Sequence, residues 1–260
     1  MKTILTIAGL DPAGGAGLLA DLKTVAAHGH HGVGALTATT AQNTVGVKSF
    51  YPLPPDAVVN QLAALHEDLS IAAAKTGMLG TGEIVAALAD WLAAEWRAPL
   101  VVDPVLVASS GHLLFERDAI ATMREKLFPH ATLITPNLPE AAELTGSRVE
   151  TPEEMEAAAR LLHAMGPKFV LVKGGHLPSD ATDLLFDGKN FHRFPGTRLD
   201  VHTHGTGCTM SAALASRLGE GMDIVEAVAA AKAYVRTAMS RTLRVGHGKE
   251  LLGHLDFSRI

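Results

Sequence analysis

The chain is poor in several features, and each scarcity removes a class of protein. One cysteine in 260 residues cannot close an internal disulfide, so a disulfide-stapled fold is excluded and a reducing cytoplasm is the expected location. No apolar run reaches the roughly eighteen residues that a membrane span needs. At the amino terminus, Gly9-Leu10-Asp11-Pro12 interrupts the run from Ile4 to Ala8 before a signal-peptide core is complete. Neither sign of charge dominates. A net charge of -5, with Lys, Arg, Asp and Glu scattered along the chain, leaves no basic groove for a phosphate backbone and no acidic tail. The expectation is no membrane and no nucleic acid as partners. The standard nucleotide fingerprints are also missing: Gly15-Ala16-Gly17 has no glycine three positions later, and no GKS or GKT follows a glycine loop. Tandem repeats, low-complexity tracts and linkers are absent too, so residues 1–260 read as a single domain.

What is present is a repeated strand-loop-helix unit. Thr3 to Ala8 is a buried strand, and Gly9 to Gly17 a glycine-rich loop leading to a helix over about 18–28. Val33 to Thr37 is a second strand. It is followed by a β flap around 38–50 that ends at Pro52-Leu53-Pro54-Pro55. A helix from Asp56 to about Leu69 precedes a strand over Ile71 to Lys75. Thr81 caps the next helix, where Ile84, Leu88, Trp91 and Leu92 form one apolar stripe. Strand 100–105, helix 116–127, strand 132–134, a helix from Leu138, helix 155–163 and, over 169–176, a strand followed by a glycine turn repeat the pattern. Asp187-Gly188 then turns a hairpin of 181–186 and 191–194. Helices over 206–218 and 224–239 close the series; the tail from Arg241 shows no periodicity. This alternation predicts an α/β fold with a central, mainly parallel sheet covered by helices on both faces.

In such a sheet, ligands bind outside the carboxyl ends of the strands. Gly9, Asp11, Gly77, Met78, Asp103, Asn137, Glu140, Lys173 and Gly174 all fall at those ends. Asp103 and Glu140 are oxygen donors suited to Mg2+ shared with phosphates, with helix capping as the plain alternative. Lys173 can meet a nucleotide phosphate, or simply mark a solvent boundary. Val201 to Ser211, containing Gly205-Thr206-Gly207-Cys208, runs from loop straight into helix, so its free backbone N-H groups can surround an anion. A thiol at that helix start is expected to be stabilised as thiolate, below its usual pKa of about 8.5. The alternative is a tight turn with Cys208 as a small core residue. His202, His204 and Cys208 match no structural zinc spacing.

The motifs AGLDPAGGAG from Ala8, ADLK from Ala20, TAQNT from Thr40, KTGML from Lys75, VDPV from Val102, TPNLPE from Thr135, VKGGH from Val172 and HGTGC from His204 occur in one order. Together they resemble hydroxymethylpyrimidine/phosphomethylpyrimidine kinases of thiamine biosynthesis, in the ribokinase superfamily, over almost the whole chain. The resemblance implies a three-layer α/β/α sandwich and Mg-ATP-dependent phosphorylation of 4-amino-5-hydroxymethyl-2-methylpyrimidine and then of its monophosphate. It places the pyrimidine against Gly9, Asp21, Gln42, Met78, Val105 and Cys208. The nucleotide falls against Lys173, Thr203, Gly205, Gly207 and Asn137, and the metal against Asp103 and Glu140. Transfer chemistry goes to Gly205, Thr206, Gly207 and Cys208, where many superfamily members carry aspartate at the last position. Leu10 and Ala13 stand where relatives carry serine. The same resemblance implies a homodimer. Pyridoxal kinase is the nearest alternative activity, and a silent ligand-binding protein the alternative of another class.

Overall fold

The computed structural model describes residues 1–106, 117–177, 180–199, 201 and 203–255. β1 (Thr3–Leu10), α1 (Gly17–Ala27), β2 (His31–Gln42) and β3 (Val47–Pro52) are followed by α2 (Pro55–Asp68), β4 (Ile71–Thr76), α3 (Gly82–Glu95) and β5 (Leu100–Val102). Next come α4 (Arg117–Thr122), which passes into a π turn over Met123–Leu127 and a 3-10 turn over Phe128–His130, then β6 (Leu133–Ile134), α5 (Leu138–Thr145), α6 (Pro152–His163) and β7 (Phe169–Val172). β8 (Asp183–Phe186), β9 (Phe191–Phe194), β10 (Thr203–His204), α7 (Thr206–Gly219), α8 (Ile224–Met239) and β11 (Glu250–Leu251) complete the order.

The main sheet runs β3-β2-β1-β4-β5-β6-β7-β8-β9. From β2 to β7 neighbours are parallel; β3 at one edge and β8 and β9 at the other are antiparallel. The period-two alternation of strands splits the core in two. Leu5, Ile7, Val102, Ile134 and Val172 pack under α2, α3, α5 and α6, whereas Ile4, Val101, Leu133 and Leu171 pack under α7 and α8. That is the expected α/β/α sandwich. Thr81 caps α3 by accepting from Ile84 N at 3.3 Å, and the predicted stripe on that helix is buried.

Three expectations are corrected. β2 does not stop at Thr37; it runs unbroken to Gln42, so the flap is an outgrowth of a core strand and β3 simply pairs back on it. The strand expected over 100–105 ends at Val102, so Asp103 and Val105 lie beyond it on the ligand side, whereas β7 ends at Val172, ahead of the expected glycine turn. The tail, which has no readable period, forms β11 and pairs parallel with β10; two-residue strands carry too short a pattern to detect. Among the described residues, no helix is long and apolar enough to cross a membrane.

Candidate active site

The carboxyl ends of the parallel strands open into one cleft of about 1650 Å³. Gly9, Gln42, Met78, Asp103, Val105, Asn137, Glu140, Lys173, Thr203, Gly205, Thr206, Gly207 and Cys208 all line it. Residues far apart in sequence therefore meet as the sheet argument expects.

Two glycine loops build its floor. Gly205 is the N-cap of α7, in the left-handed region at φ +85, and no side chain caps that helix. A Cβ at Gly205 would lie 1.8 Å from the Gly15 carbonyl oxygen, so only glycine lets the two backbones touch. The first-turn amides of α7 have no partner within the helix, and Thr206, Gly207 and Cys208, which carry them, line the cleft. Lys173 Nζ donates to Asp103 Oδ1 at 2.9 Å, and Thr135 Oγ1 donates to the same oxygen at 3.0 Å. Both charged groups crowd Gly207: a Cβ there would be 3.2 Å from Lys173 Nζ and 3.4 Å from Asp103 Oδ2. Burial opposes the charge on Lys173, but Asp103 and Glu140 outweigh it and hold the ammonium well above the usual lysine range.

Glu140 and Asn137 form a capping box at the start of α5. Glu140 N donates to Asn137 Oδ1 at 2.9 Å, and Asn137 N donates to Glu140 Oε2 at 2.8 Å. The helix-capping alternative thus holds for Glu140, yet its carboxyl also faces the cleft. Burial raises its pKa to about 7, with Lys173 opposing and Asp103 adding to the rise. A carboxyl so placed is relieved by a cation. Among the described residues no third acidic, histidine or cysteine side chain joins the pair, which fits Mg2+ completed by water and phosphate oxygens better than a metal caged by protein.

Cys208 departs from the expected thiolate. Burial pushes its thiol up to about 11, with Lys75 opposing and Asp21 and Asp103 adding to the rise. Desolvation and two carboxylates overcome the helix end and the Gly17 N-H that reaches the sulfur. In the ligand-free site Cys208 is a neutral thiol.

Asp21 is the one predicted site residue that does not reach the cleft. It is 0% exposed, accepting from Thr6 Oγ1 at 2.6 Å and Lys75 Nζ at 2.9 Å. Lys75, to which the sequence reading gave no role, is also 0% exposed and lies close enough to Asp21 and Asp103 to be held charged by the two carboxylates against its burial. The signal was available: a lysine closing the apolar strand Ile71 to Thr76 needs a buried acid, and Asp21 sits on the inner face of α1.

Asp11 organises the other loop. Its Oδ1 accepts from Ala13 N at 2.9 Å, and its Oδ2 accepts from Gly15 N at 3.1 Å and Ala16 N at 3.0 Å. His204 Nε2 lies 3.2 Å from the same Oδ2. Burial works against its ionisation, but His204 and the amides outweigh it and hold Asp11 below the usual carboxylate range. The tail supplies Lys249 to the lining, and Lys249 N donates to Thr44 O at 2.9 Å, tying the flap down. His202 lies outside the described residues.

A sequence profile described as phosphomethylpyrimidine kinase matches residues 11–253, nearly all of the cleft-forming chain. The chain belongs to the phosphomethylpyrimidine kinase family. It is 47% identical to the hydroxymethylpyrimidine/phosphomethylpyrimidine kinase of Streptomyces coelicolor over 246 residues, covering 94% of this chain and 91% of that protein. It is 46% identical to a thiamine biosynthesis bifunctional protein of Geobacter sulfurreducens over 255 residues, 97% of this chain, and spans about half (52%) of that longer relative. Among solved structures, Bacillus subtilis pyridoxal kinase in an ADP complex superposes with a TM-score of 0.90 at 34% identity, covering 98% of this chain and 97% of that one. Phosphomethylpyrimidine kinase from Clostridium difficile gives 0.82 at 39% identity, covering 91% and 98%. The fold is thus that of the vitamin kinases, and family membership makes the chain an ATP-using kinase.

Proposed function

We propose that this chain phosphorylates 4-amino-5-hydroxymethyl-2-methylpyrimidine and then its monophosphate, using Mg-ATP in both steps. The observation that carries the reading is the uncapped start of α7 set beside Lys173 and Asp103. It joins free amides, a held cation and a carboxylate at one end of a cleft wide enough for two substrates. In-line phosphoryl transfer needs positioning and charge neutralisation more than covalent participation by protein. The amides of Thr206, Gly207 and Cys208 hold the transferring group, and Lys173, Thr203 and Asn137 receive the nucleotide. Asp103 and Glu140 hold Mg2+, which when bound offsets charge on the phosphates. Gly9, Gln42, Met78 and Val105 receive the ring. Cys208 meets the acceptor as a thiol whose sulfur accepts a hydrogen bond from the hydroxyl and steers its proton to an oxygen of the transferring phosphoryl group. That oxygen takes the proton as the new O–P bond forms and the bond to ADP breaks. Asp21 acts from behind, through Lys75.

Pyridoxal kinase is the second reading, favoured by the TM-score of 0.90 to the Bacillus subtilis enzyme. The higher identity, 47%, to the Streptomyces coelicolor kinase supports the pyrimidine. ADP release with the pyrimidine alcohol, its monophosphate and pyridoxal as separate acceptors tests this. Turnover of the two pyrimidines above pyridoxal is expected; turnover of pyridoxal alone, or of none, overturns the assignment. A cytoplasmic homodimer joined near the flap, where Val45 and Tyr51 are exposed, is part of the same reading. A monomeric sedimentation coefficient would remove the dimer.

A further inference from the structure

Behind Gln42 lies a polar arrangement that the transfer chemistry does not use. Gln42 Nε2 is 3.0 Å from His204 Nε2, and Gln42 Oε1 is 3.4 Å from Thr40 Oγ1. Asp11 Oδ2 is 3.2 Å from the same imidazole nitrogen. Asp11 already accepts from three backbone N-H groups and, as a carboxylate, can only accept. His204 Nε2 must therefore carry a proton to meet it, and a protonated ring nitrogen has no lone pair for the Gln42 amine. At the other end Thr40 Oγ1 donates to Leu10 O at 2.9 Å, so its hydroxyl hydrogen is committed and its oxygen is left as an acceptor. The two ends of an amide have almost the same shape, and hydrogen-bond partners decide which faces which way. Turning the Gln42 amide over satisfies every group: Oε1 accepts from His204 Nε2, while Nε2 donates to Thr40 Oγ1.

We infer that the Asp11-His204 pair sets the donor-acceptor polarity of the Gln42 amide, and that this polarity chooses which way round the acceptor ring lies in the cleft. The inference rests on the pyrimidine reading given above. In the turned amide the acceptor edge lies on the side of His204, next to Gly205, and the donor edge on the side of Thr40. A 4-aminopyrimidine matches it with its exocyclic amine toward His204 and its ring N3 toward Thr40. The 5-hydroxymethyl group is bonded beside the amine-bearing carbon, so it is carried to the same side, toward Gly205 and Cys208. With the opposite polarity the ring would pair equally well but aim its hydroxymethyl group away from the start of α7. His204 is thus a positioning residue, acting through Gln42.

The test compares the 4-amino alcohol with its 4-oxo analogue, whose N3-H donor and carbonyl acceptor present the reverse polarity. Wild type is expected to favour the amine strongly in kcat/KM. In His204→Ala the amide is free to turn, and the amine-to-oxo ratio should fall at least tenfold, with the oxo analogue holding its own rate or gaining; His204→Gln, which keeps a donor, should recover part of the ratio. Equal losses on both acceptors, or an unchanged ratio, would overturn the inference. A second arm needs no acceptor: side-chain 15N spectra of the ligand-free protein should show the His204 Nε2 proton, and an unprotonated Nε2 at neutral pH would overturn the polarity itself. If wild type turns over neither acceptor, the pyrimidine reading fails and the spectra still decide the polarity.

Discussion

Lys173 Nζ and Asp103 Oδ1 meet at 2.9 Å beside Gly207, where a Cβ would come within 3.2 Å of the ammonium. The ion pair and the start of α7 are therefore built against each other, and Gly207→Ala tests that fit. The new methyl presses first on the flexible end of Lys173. The fold should survive, with a melting temperature close to wild type, while kcat falls about tenfold, equivalent to ~1.4 kcal/mol in the barrier. Steady-state ADP release beside a thermal melt separates the two effects; a large drop in melting temperature would mean that the glycine serves packing alone.

Gly205→Ala should behave differently. Its Cβ would collide with the backbone of Gly15 rather than with a side chain, and its φ of +85 disfavours alanine by itself. A loss of about 3 kcal/mol or more in urea-unfolding free energy is expected, from the left-handed strain of ~1–3 kcal/mol and the added clash. A stability within about 0.5 kcal/mol of wild type would show that the two loops can part without cost.

Cys208 should alkylate slowly. With the thiol pushed up to about 11, the rate with iodoacetamide should keep rising with pH well past the ordinary thiol value of about 8.5, instead of levelling there. Mass spectrometry across the pH series reads this directly on a chain with a single cysteine. For catalysis, Cys208→Ala should slow alcohol phosphorylation by about 10–100-fold and the second step less. An alcohol must part with its proton, whereas a phosphate monoester with a second pKa of about 6 is largely ionised already. Equal losses in the two steps would assign Cys208 to alignment only.

Glu140 makes metal use depend on pH. Its pKa is raised from 4.5 to about 7, so the folded, ligand-free protein favours the protonated carboxyl. The stability this adds is full below about pH 4.5 and is lost as pH rises through about 7. Mg2+ requires the ionised form and must displace that proton. The Mg2+ concentration for half-maximal rate should therefore fall by about tenfold between about pH 6 and pH 8. Glu140→Gln should need more Mg2+ and lose the slope; an unaltered slope in that variant would place the titration elsewhere.

The Lys75-Asp21 pair should be costly to break and cheap to replace. Lys75→Met leaves a carboxylate alone in a site with no exposure, with an expected loss of ~3–5 kcal/mol by denaturant unfolding. Adding Asp21→Asn should restore a good part of it. If the double variant is as unstable as the sum of its singles, the two residues are not energetically a pair.

The layers of the fold and the convergence of strand ends were legible because both follow from periodicity: apolar runs of strand length, stripes at helical spacing, and loops that must all open on one side of a parallel sheet. What escaped was set by tertiary environment. The amide-rich start of α7 was readable as a place for an anion, but desolvation and two carboxylates brought to Cys208 by other elements reverse the pKa argument made from the helix end alone. Asp21 read as a ligand contact when placed by motif; its burial against Lys75 depends on two elements fifty-four positions apart. The tail read as patternless because it answers to β10 and the flap rather than to a period of its own.

That tail has a consequence for how the protein comes into being. Gly248 N donates to Thr44 Oγ1 at 3.2 Å across 204 residues of chain, and Leu251 Cδ2 packs where a Cβ at Gly15 would stand. Contacts of such long sequence separation form late. During synthesis the sandwich can assemble strand by strand, but its ligand side stays unroofed until the residues around 250 have emerged. The growing chain thus acquires its shape before it acquires its grip on a substrate.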